Sequence, residues 1–342
     1  MPGHDIIVIG ASAGGVDAVS TVVRGLPRDL PAAVFVVVHF PAYARSVLPQ
    51  ILERAGLLPA AHPEDGETIQ PGRIYVAPPG RHLLIEDSRV RLVRGPRENG
   101  AIPAVDPLFR SAARWHRGRV VGVVLTGTLD DGTAGLVAIK HRQGIAVVQD
   151  PDEALYDGMP RSAVANAPVD HVLPLAGIAP LLNDLARTPP PGGNDPMHDE
   201  SMDERIEIES DITAMRPGLM EGDDNPHPGH VSAFTCPECH GALWEIEEDG
   251  AVRFRCRVGH GYTMEAMLSE NGRDVEAALW TGFRALRERA ALCRRIGERM
   301  AARGQHAMAA RQHAEAAEAE RRAALLREVL LRGPAGEQMA SD

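Results

Sequence analysis

The chain has 342 residues, 44% of them hydrophobic and 24% charged, which excludes wholesale disorder and suits one large domain with a smaller one. No apolar run approaches the roughly 18–20 residues of a membrane span and no signal-peptide pattern follows Met1, so the expectation is a soluble, cytoplasmic protein without membrane insertion. The net charge of −11 is uneven: acidic and basic side chains number 19 and 18 in residues 1–187, 11 and 2 in 188–232, and 17 and 16 in 233–342, so no basic field argues for nucleic acid.

Short β-branched runs at 5–9, 33–38, 73–76, 120–125 and 145–148 predict strands, several apolar on both faces as in a parallel sheet covered by helices. Helical spacing falls between them at 15–26, 46–55, 106–115 and 132–142, and residues 83–94 read as an inserted hairpin. Residues 1–187 therefore predict a doubly wound, mostly parallel, Rossmann-like α/β domain. The proline- and acid-rich segment 188–232 reads as a disordered linker. Residues 233–262 are turn-rich, 263–332 predict a helical hairpin stopped once at Arg303-Gly304, and 333–342 a flexible tail. Val275, Leu279, Phe283, Leu286, Ala290, Cys293, Ile296 and Met300 recur every three or four residues, which predicts one buried stripe with Cys293 inert upon it.

The first segment that carries chemistry is Gly10-Ala11-Ser12-Ala13-Gly14-Gly15, a small-residue turn between a strand and a helix. Backbone N–H groups at such a helix start favour negative charge. Three readings fit it: a phosphate-cradling turn, a nucleophile elbow, or close packing of helix on strand. The dinucleotide fingerprint needs Gly where Ser12 stands, and the hydrolase elbow normally follows a later strand. The next strand ends in His39, and the strand at 120–125 runs into Thr126-Gly127-Thr128-Leu129-Asp130-Asp131-Gly132. In an open parallel sheet the carboxyl ends of neighbouring strands share one crevice, so a Ser, a His and an Asp meet there, the three roles of acyl transfer.

These segments, with Val38-His39-Phe40-Pro41, Ile74-Tyr75-Val76-Ala77-Pro78-Pro79, Pro103-Ala104-Val105-Asp106-Pro107-Leu108-Phe109 and Gly158-Met159-Pro160, resemble the catalytic domain of CheB-type protein-glutamate methylesterases over about residues 4–183. The resemblance implies Ser12 as nucleophile, His39 as general base and Asp131, rather than Asp130, as the orienting acid. It implies a methylated protein substrate such as a chemoreceptor helix, chemotaxis-type signalling, no catalytic cofactor, and Gln deamidation as a further candidate reaction. The chain departs from the family pattern at Val38, Phe40, Ala101, Ile102, Thr128 and Leu129, positions that could line the substrate groove. Lys140 is its one lysine and lies in a catalytic-domain helix, so no receiver domain, which needs a Lys beside an acidic cluster, is expected.

All four cysteines lie beyond residue 232. Cys236-Pro237-Glu238-Cys239 and Cys256-Arg257-Val258-Gly259-His260 form C-x2-C-x16-C-x3-H, which predicts two knuckles holding a structural zinc, with 244–254 as the hairpin between them and His240 a weaker substitute ligand. This module and the helices resemble an extension of some stand-alone CheB-like proteins. An alternative to the enzyme is a signalling adaptor of weak turnover that binds another protein through its zinc and helical parts.

Overall fold

The β-branched runs of the first 187 residues pair, in a computed structural model, as a seven-stranded sheet that is parallel throughout. The structure describes residues 3–40, 46–190, 200–216, 229–248 and 251–332. Chain order is β1 (Ile6–Ala11), α1 (Gly15–Arg24), β2 (Ala33–Val38), α2 (Leu48–Ala55), β3 (Ala60–Ala61), β4 (Ile74–Val76), β5 (His82–Glu86) and β6 (Arg89–Val93). Then come α3 (Val105–His116), β7 (Val120–Val124), α4 (Thr133–His141), β8 (Ile145–Gln149), α5 (Gly158–Asn166), β9 (His171–Leu173) and α6 (Leu175–Arg187).

The sheet order is β3-β4-β2-β1-β7-β8-β9, so the chain leaves β1 toward one edge and later crosses to the other. Two apolar layers explain the double winding. Ile6 and Val8 of β1 face a core shared with Leu108, Phe109 and Leu136, whereas Ile7 and Ile9 face one shared with Val19, Val22, Leu52 and Leu182. Strands buried on both sides lose the polar–apolar alternation of a half-exposed sheet. The expected hairpin is β5–β6, paired antiparallel.

Gly10 permits one close contact between β1 and α3. A Cβ there would come within 2.3 Å of Val105 Cγ1, and one on Gly132, at φ +99°, within 2.9 Å of the same atom. The two glycines thus let the first residue of α3 press against the sheet, where its backbone N–H reaches the crevice.

The acidic segment departs from expectation. Residues 191–199 and 217–228 lie outside the described residues, but between them α7 (Glu200–Thr213) is a helix packed on α3, with Met202, Ile206, Glu209 and Thr213 buried. Three of its acids are paired rather than solvated: Asp203 with Arg142 at 2.9 Å, Asp211 with Arg114 and Arg216, and Glu209 with Arg253 at 3.1 Å. The near-neutral total of residues 1–187 hides a local strip of arginines that an acidic helix can cover.

Past α7 lie β10 (His230–Thr235), β11 (Ala242–Glu248), β12 (Ala251–Cys256) and β13 (Gly261–Thr263), an antiparallel four-stranded sheet in chain order. Residues 233–262 pack with the α/β domain rather than apart from it. One compact unit runs from Met1 to Met267 and includes them. Arg255 is buried against Glu98 and Glu209, and Gly261 pairs its backbone with residues 97–99.

The second unit, Leu268–Asp342, holds most of α8 (Met264–Ala302) and all of α9 (His306–Arg332). These form the expected antiparallel hairpin, turned at Gly304 (φ +76°), with Arg289 paired to Glu315 and Arg294 to Glu320. Its seam is narrower than the predicted stripe: Ala290 and Cys293 are buried against a face that presents Ala309, Ala316, Ala319 and Ala323, while Val275 and Ile296 are exposed. Alanine-lined helices approach closely and leave the flanks of a wide stripe in solvent. The tail 333–342 lies outside the described residues.

Candidate active site

Ser12 follows β1 at the point where the winding of the sheet reverses, the usual place of a ligand crevice in such sheets. β2 and β7 flank β1, so the residues that follow them come to its two sides. The backbone N–H of Ser12 donates to Thr126 O at 3.0 Å and that of His39 to Ala11 O at 3.2 Å, which ties all three strand ends together.

The side chains then meet. Ser12 Oγ lies 3.1 Å from His39 Nδ1, and His39 Nε2 lies 2.7 Å from Asp131 Oδ2. An ionised carboxylate can only accept, so Nε2 carries the proton and Nδ1 presents its lone pair to the Ser12 hydroxyl. Asp131 is fixed in turn by the Val105 N–H at 2.7 Å on Oδ2, and by the Asp106 N–H and Asn99 Nδ2, each at 3.1 Å, on Oδ1. Burial works against its charge. The hydrogen bond and charge of His39, followed by the two backbone N–H groups, outweigh burial and hold Asp131 below the usual carboxylate range.

Asp106 stands beside it as the opposite case. Burial first, and the neighbouring Asp131 next, push Asp106 well above the usual range, although its Oδ1 accepts from Gly132 N at 3.0 Å and Gly135 N at 2.7 Å. Asn99 Nδ2 is 3.1 Å from Asp106 Oδ2 as well, so one carboxamide bridges the two carboxyl groups. Asp130 turns away from the histidine and accepts from Thr263 Oγ1 at 2.8 Å. Burial is the main reason its carboxyl is raised to about 7, with Glu265 adding to it.

The geometry therefore joins Ser12, His39 and Asp131, and sets Asp130 apart. Asp106 lay within a family-like motif without an assigned role; Asn99 and Thr263, single uncharged polar residues, had no spacing signal beyond the turn-like Asn99-Gly100 pair. Among the departures from the family pattern, Val38 is 3% exposed and belongs to the core behind α1 rather than to the groove, with Phe40 packed against the same core. Thr128 and Leu129 are exposed.

The profile described as CheB methylesterase matches residues 7–182, slightly more than half of the chain. The chain belongs to this family. A Leptospira interrogans relative, provisionally named protein-glutamate methylesterase/protein-glutamine glutaminase, is 41% identical over 179 residues, covering 52% of this chain and 93% of that one. An Anaeromyxobacter dehalogenans protein-glutamate methylesterase/protein-glutamine glutaminase 2 is 39% identical over 183 residues, 54% of each chain, so this chain spans about half of its length. Among solved structures, the catalytic domain of the Thermotoga maritima CheB methylesterase superposes with a TM-score of 0.51 at 32% identity, covering 53% of this chain and 98% of that one. The α7 helix and the β10–β13 module lie beyond the residues matched by the family profile.

The second cluster also forms. Cys236, Cys239, Cys256 and His260 place one ligand atom each within 4.8 Å of one another. Cys239 Sγ to Cys256 Sγ is 3.6 Å, and His260 Nδ1 is 3.6 Å from Cys236 Sγ and 3.4 Å from Cys256 Sγ. Zinc bound at about 2.3 Å by sulfur and about 2.0 Å by nitrogen sets tetrahedral edges of roughly 3.5–3.8 Å, which these separations fit. The other ring nitrogen of His260 is 3.2 Å from Glu238 Oε2, the carboxylate support typical of metal-binding histidines. The four side chains are compatible with a zinc ion. The substitute ligand His240 is not in the cluster; its backbone turns at φ +57°.

Proposed function

We propose that this chain is a protein-glutamate methylesterase: it hydrolyses γ-methyl esters of glutamate side chains on a protein such as a chemoreceptor helix, and deamidates glutamine there. The observation that carries this reading is the unbroken chain of hydrogen bonds from Ser12 through His39 to Asp131 on a sheet whose family bears that chemistry. It favours an enzyme over an adaptor of weak turnover.

Ser12 Oγ attacks the ester carbonyl carbon while His39 Nδ1 takes its proton, and Asp131 steadies the imidazolium through Nε2. The N–H groups of Ser12 and Gly15 are engaged, with Thr126 O and Ser12 O, which leaves those of Ala13 and Gly14 at the start of α1 to hold the oxyanion. Collapse of the tetrahedral intermediate releases methanol, protonated by His39. A water activated by the same ring then frees the glutamate. Leu129, Leu155 and Tyr156 are exposed around this edge and offer an apolar seat to one face of a substrate helix. Cys236, Cys239, Cys256 and His260 hold a structural zinc that fastens the two knuckles.

Signalling of the chemotaxis type and a cytoplasmic location belong to the same reading. Among the described residues no helix is long and apolar enough to cross a membrane, and no disulfide joins the four cysteines. The test is methanol release from a methylated receptor fragment: the wild type releases it and Ser12→Ala does not. A wild-type protein that binds the fragment without releasing methanol overturns the proposal.

A further inference from the structure

Thr263 follows the knuckle that ends at His260 by only three positions, and it reaches Asp131 through Asn99 and the adjacent Asp130 directly. Its backbone N–H donates to Asn99 Oδ1 at 3.0 Å, and Asn99 Nδ2 donates to Asp131 Oδ1 at 3.1 Å. Its hydroxyl donates to Asp130 Oδ1 at 2.8 Å while accepting from the Ala266 N–H at 3.1 Å, as the N-cap of α8 does. The backbone around Asn99 is held by the same strand: Asn99 N donates to Gly261 O at 2.8 Å and Gly261 N to Arg97 O at 3.2 Å. Asn99 itself has φ +52°, a left-handed conformation that asparagine tolerates and most residues resist.

We propose that the Cys/His module is a positioning element of the esterase, in which Thr263 and Asn99 hold Asp131 in register with His39, so that the state of the Cys236–Cys239–Cys256–His260 cluster sets the rate of hydrolysis. The physical argument is geometric. Asp131 orients an imidazole whose other nitrogen must meet a hydroxyl, and displacement of such a group by about 1 Å can cost on the order of 100-fold in rate. Of the two donors on Asp131 Oδ1, the Asp106 N–H comes from the rigid start of α3, while the carboxamide of Asn99 is aimed by its acceptor contact with Thr263. A carboxamide without that contact keeps only its Nδ2 bonds to the two carboxyl groups and loses the donor that fixes its oxygen on the far side. The strand β13 that carries Thr263 begins directly after a cluster residue, so opening the knuckle releases Gly261, Thr263 and Asn99 together.

This inference rests on Ser12 being the nucleophile, and its test separates the two. In the full chain, Asn99→Gly keeps the left-handed backbone and deletes the carboxamide; kcat should fall about 10- to 100-fold with KM unchanged. Asn99→Asp should fall further, because it adds a carboxyl beside Asp106 and Asp131. Thr263→Val should weaken the holding of Asp130 and lower kcat, and Thr263→Ser, which retains the hydroxyl and the cap, should restore it. The second readout is hydrogen exchange. Stripping metal from the wild-type protein with a chelator should raise amide exchange over residues 97–106 and slow the labelling of Ser12 by a fluorophosphonate. Unchanged exchange over 97–106 after metal has demonstrably left, or equal kcat for Asn99→Gly and wild type, overturns the positioning role. A metal-replete wild type whose Ser12 does not label overturns the nucleophile assignment instead, and the exchange measurement still decides whether the module holds the 97–106 segment.

Discussion

The guanidinium of Arg110 lies 2.7 Å from the carboxylate of Glu98, and both side chains are almost wholly withdrawn from water. Two later segments close the pair. Thr213 of α7 donates to Glu98 at 2.6 Å, and Arg255 of β12 approaches Glu98 at 3.3 Å and Glu209 at 3.4 Å. Three arginines and two glutamates thus fasten the α/β sheet, the acidic helix and the Cys/His module at one buried point. Burial alone would raise the Glu98 carboxyl, but Arg110 and Arg255 hold it far below the usual range; Arg253, Arg255 and Arg110 bring Glu209 down to about 2 against the same burial.

Removing one member leaves charge without a partner in a dry site. Glu209→Gln should therefore destabilise the protein by about 3–5 kcal/mol, seen as a lower denaturant midpoint at pH 7. Because both carboxyls have folded-state values below their unfolded ones, their contribution is present above about pH 4.5 and lost as pH falls through about 2. The wild type should lose stability across that window, and Glu209→Gln should lose less of it. A variant with the wild-type acid profile would show that the network carries no such linkage.

At the triad, Ser12→Ala and Asp131→Asn should each lower methanol release by about 10⁴- to 10⁶-fold, since these groups act as a unit. Asp130→Asn should cost little, because an asparagine oxygen still accepts from Thr263 and His39 does not use Asp130. Equal losses at the two adjacent acids would reject the assignment.

Asp130 should instead leave a mark on stability. Its folded value of about 7 lies above the unfolded one, so the protonated carboxyl stabilises the fold below about pH 4, and that contribution fades as pH rises through 7. Asn cannot ionise. Melting temperatures of Asp130→Asn relative to wild type should rise from pH 5 to about pH 7 and level off above it; a flat difference throughout would place the raised value elsewhere.

For the Cys/His cluster, purified protein should contain about one zinc per chain, lost on His260→Ala. Glu238→Gln, which keeps all four ligands and alters only the partner of the His260 ring, should weaken zinc affinity by about 10- to 100-fold in a competition titration with a chromogenic chelator.

The parts of this molecule that could be read from sequence are those with a local signature. Strands buried on both faces announce themselves by β-branched runs, and Ser12, His39 and Asp131 each close such a run. The helix α7 has no signature of that kind. Its apolar residues Met202, Ile206 and Ile212 are sparse, and its acids look solvated until Arg114, Arg142, Arg253 and Arg255 are placed opposite them by the rest of the fold. β9 and α6 escaped for a related reason: His171–Leu173 is too short for a pattern, and Pro180 interrupts the helix that follows. Val275 and Ile296 show the converse, since helical spacing says which face a residue shares but not how wide a strip the facing alanines of α9 will cover.

The contact between Thr263 and Asn99 spans 164 positions, and its timing during synthesis has a consequence. A ribosome delivers the chain from the amino end at about 5–20 residues per second, and domains fold as they emerge. Ser12, His39 and Asp131 are all made more than a hundred residues before Thr263. With Ser12, His39 and Asp131 in their proposed roles, the nascent sheet can close around Ser12 before the Thr263–Asn99 contact on Asp131 exists, so a truncated or stalled product should carry a triad not yet held in aim.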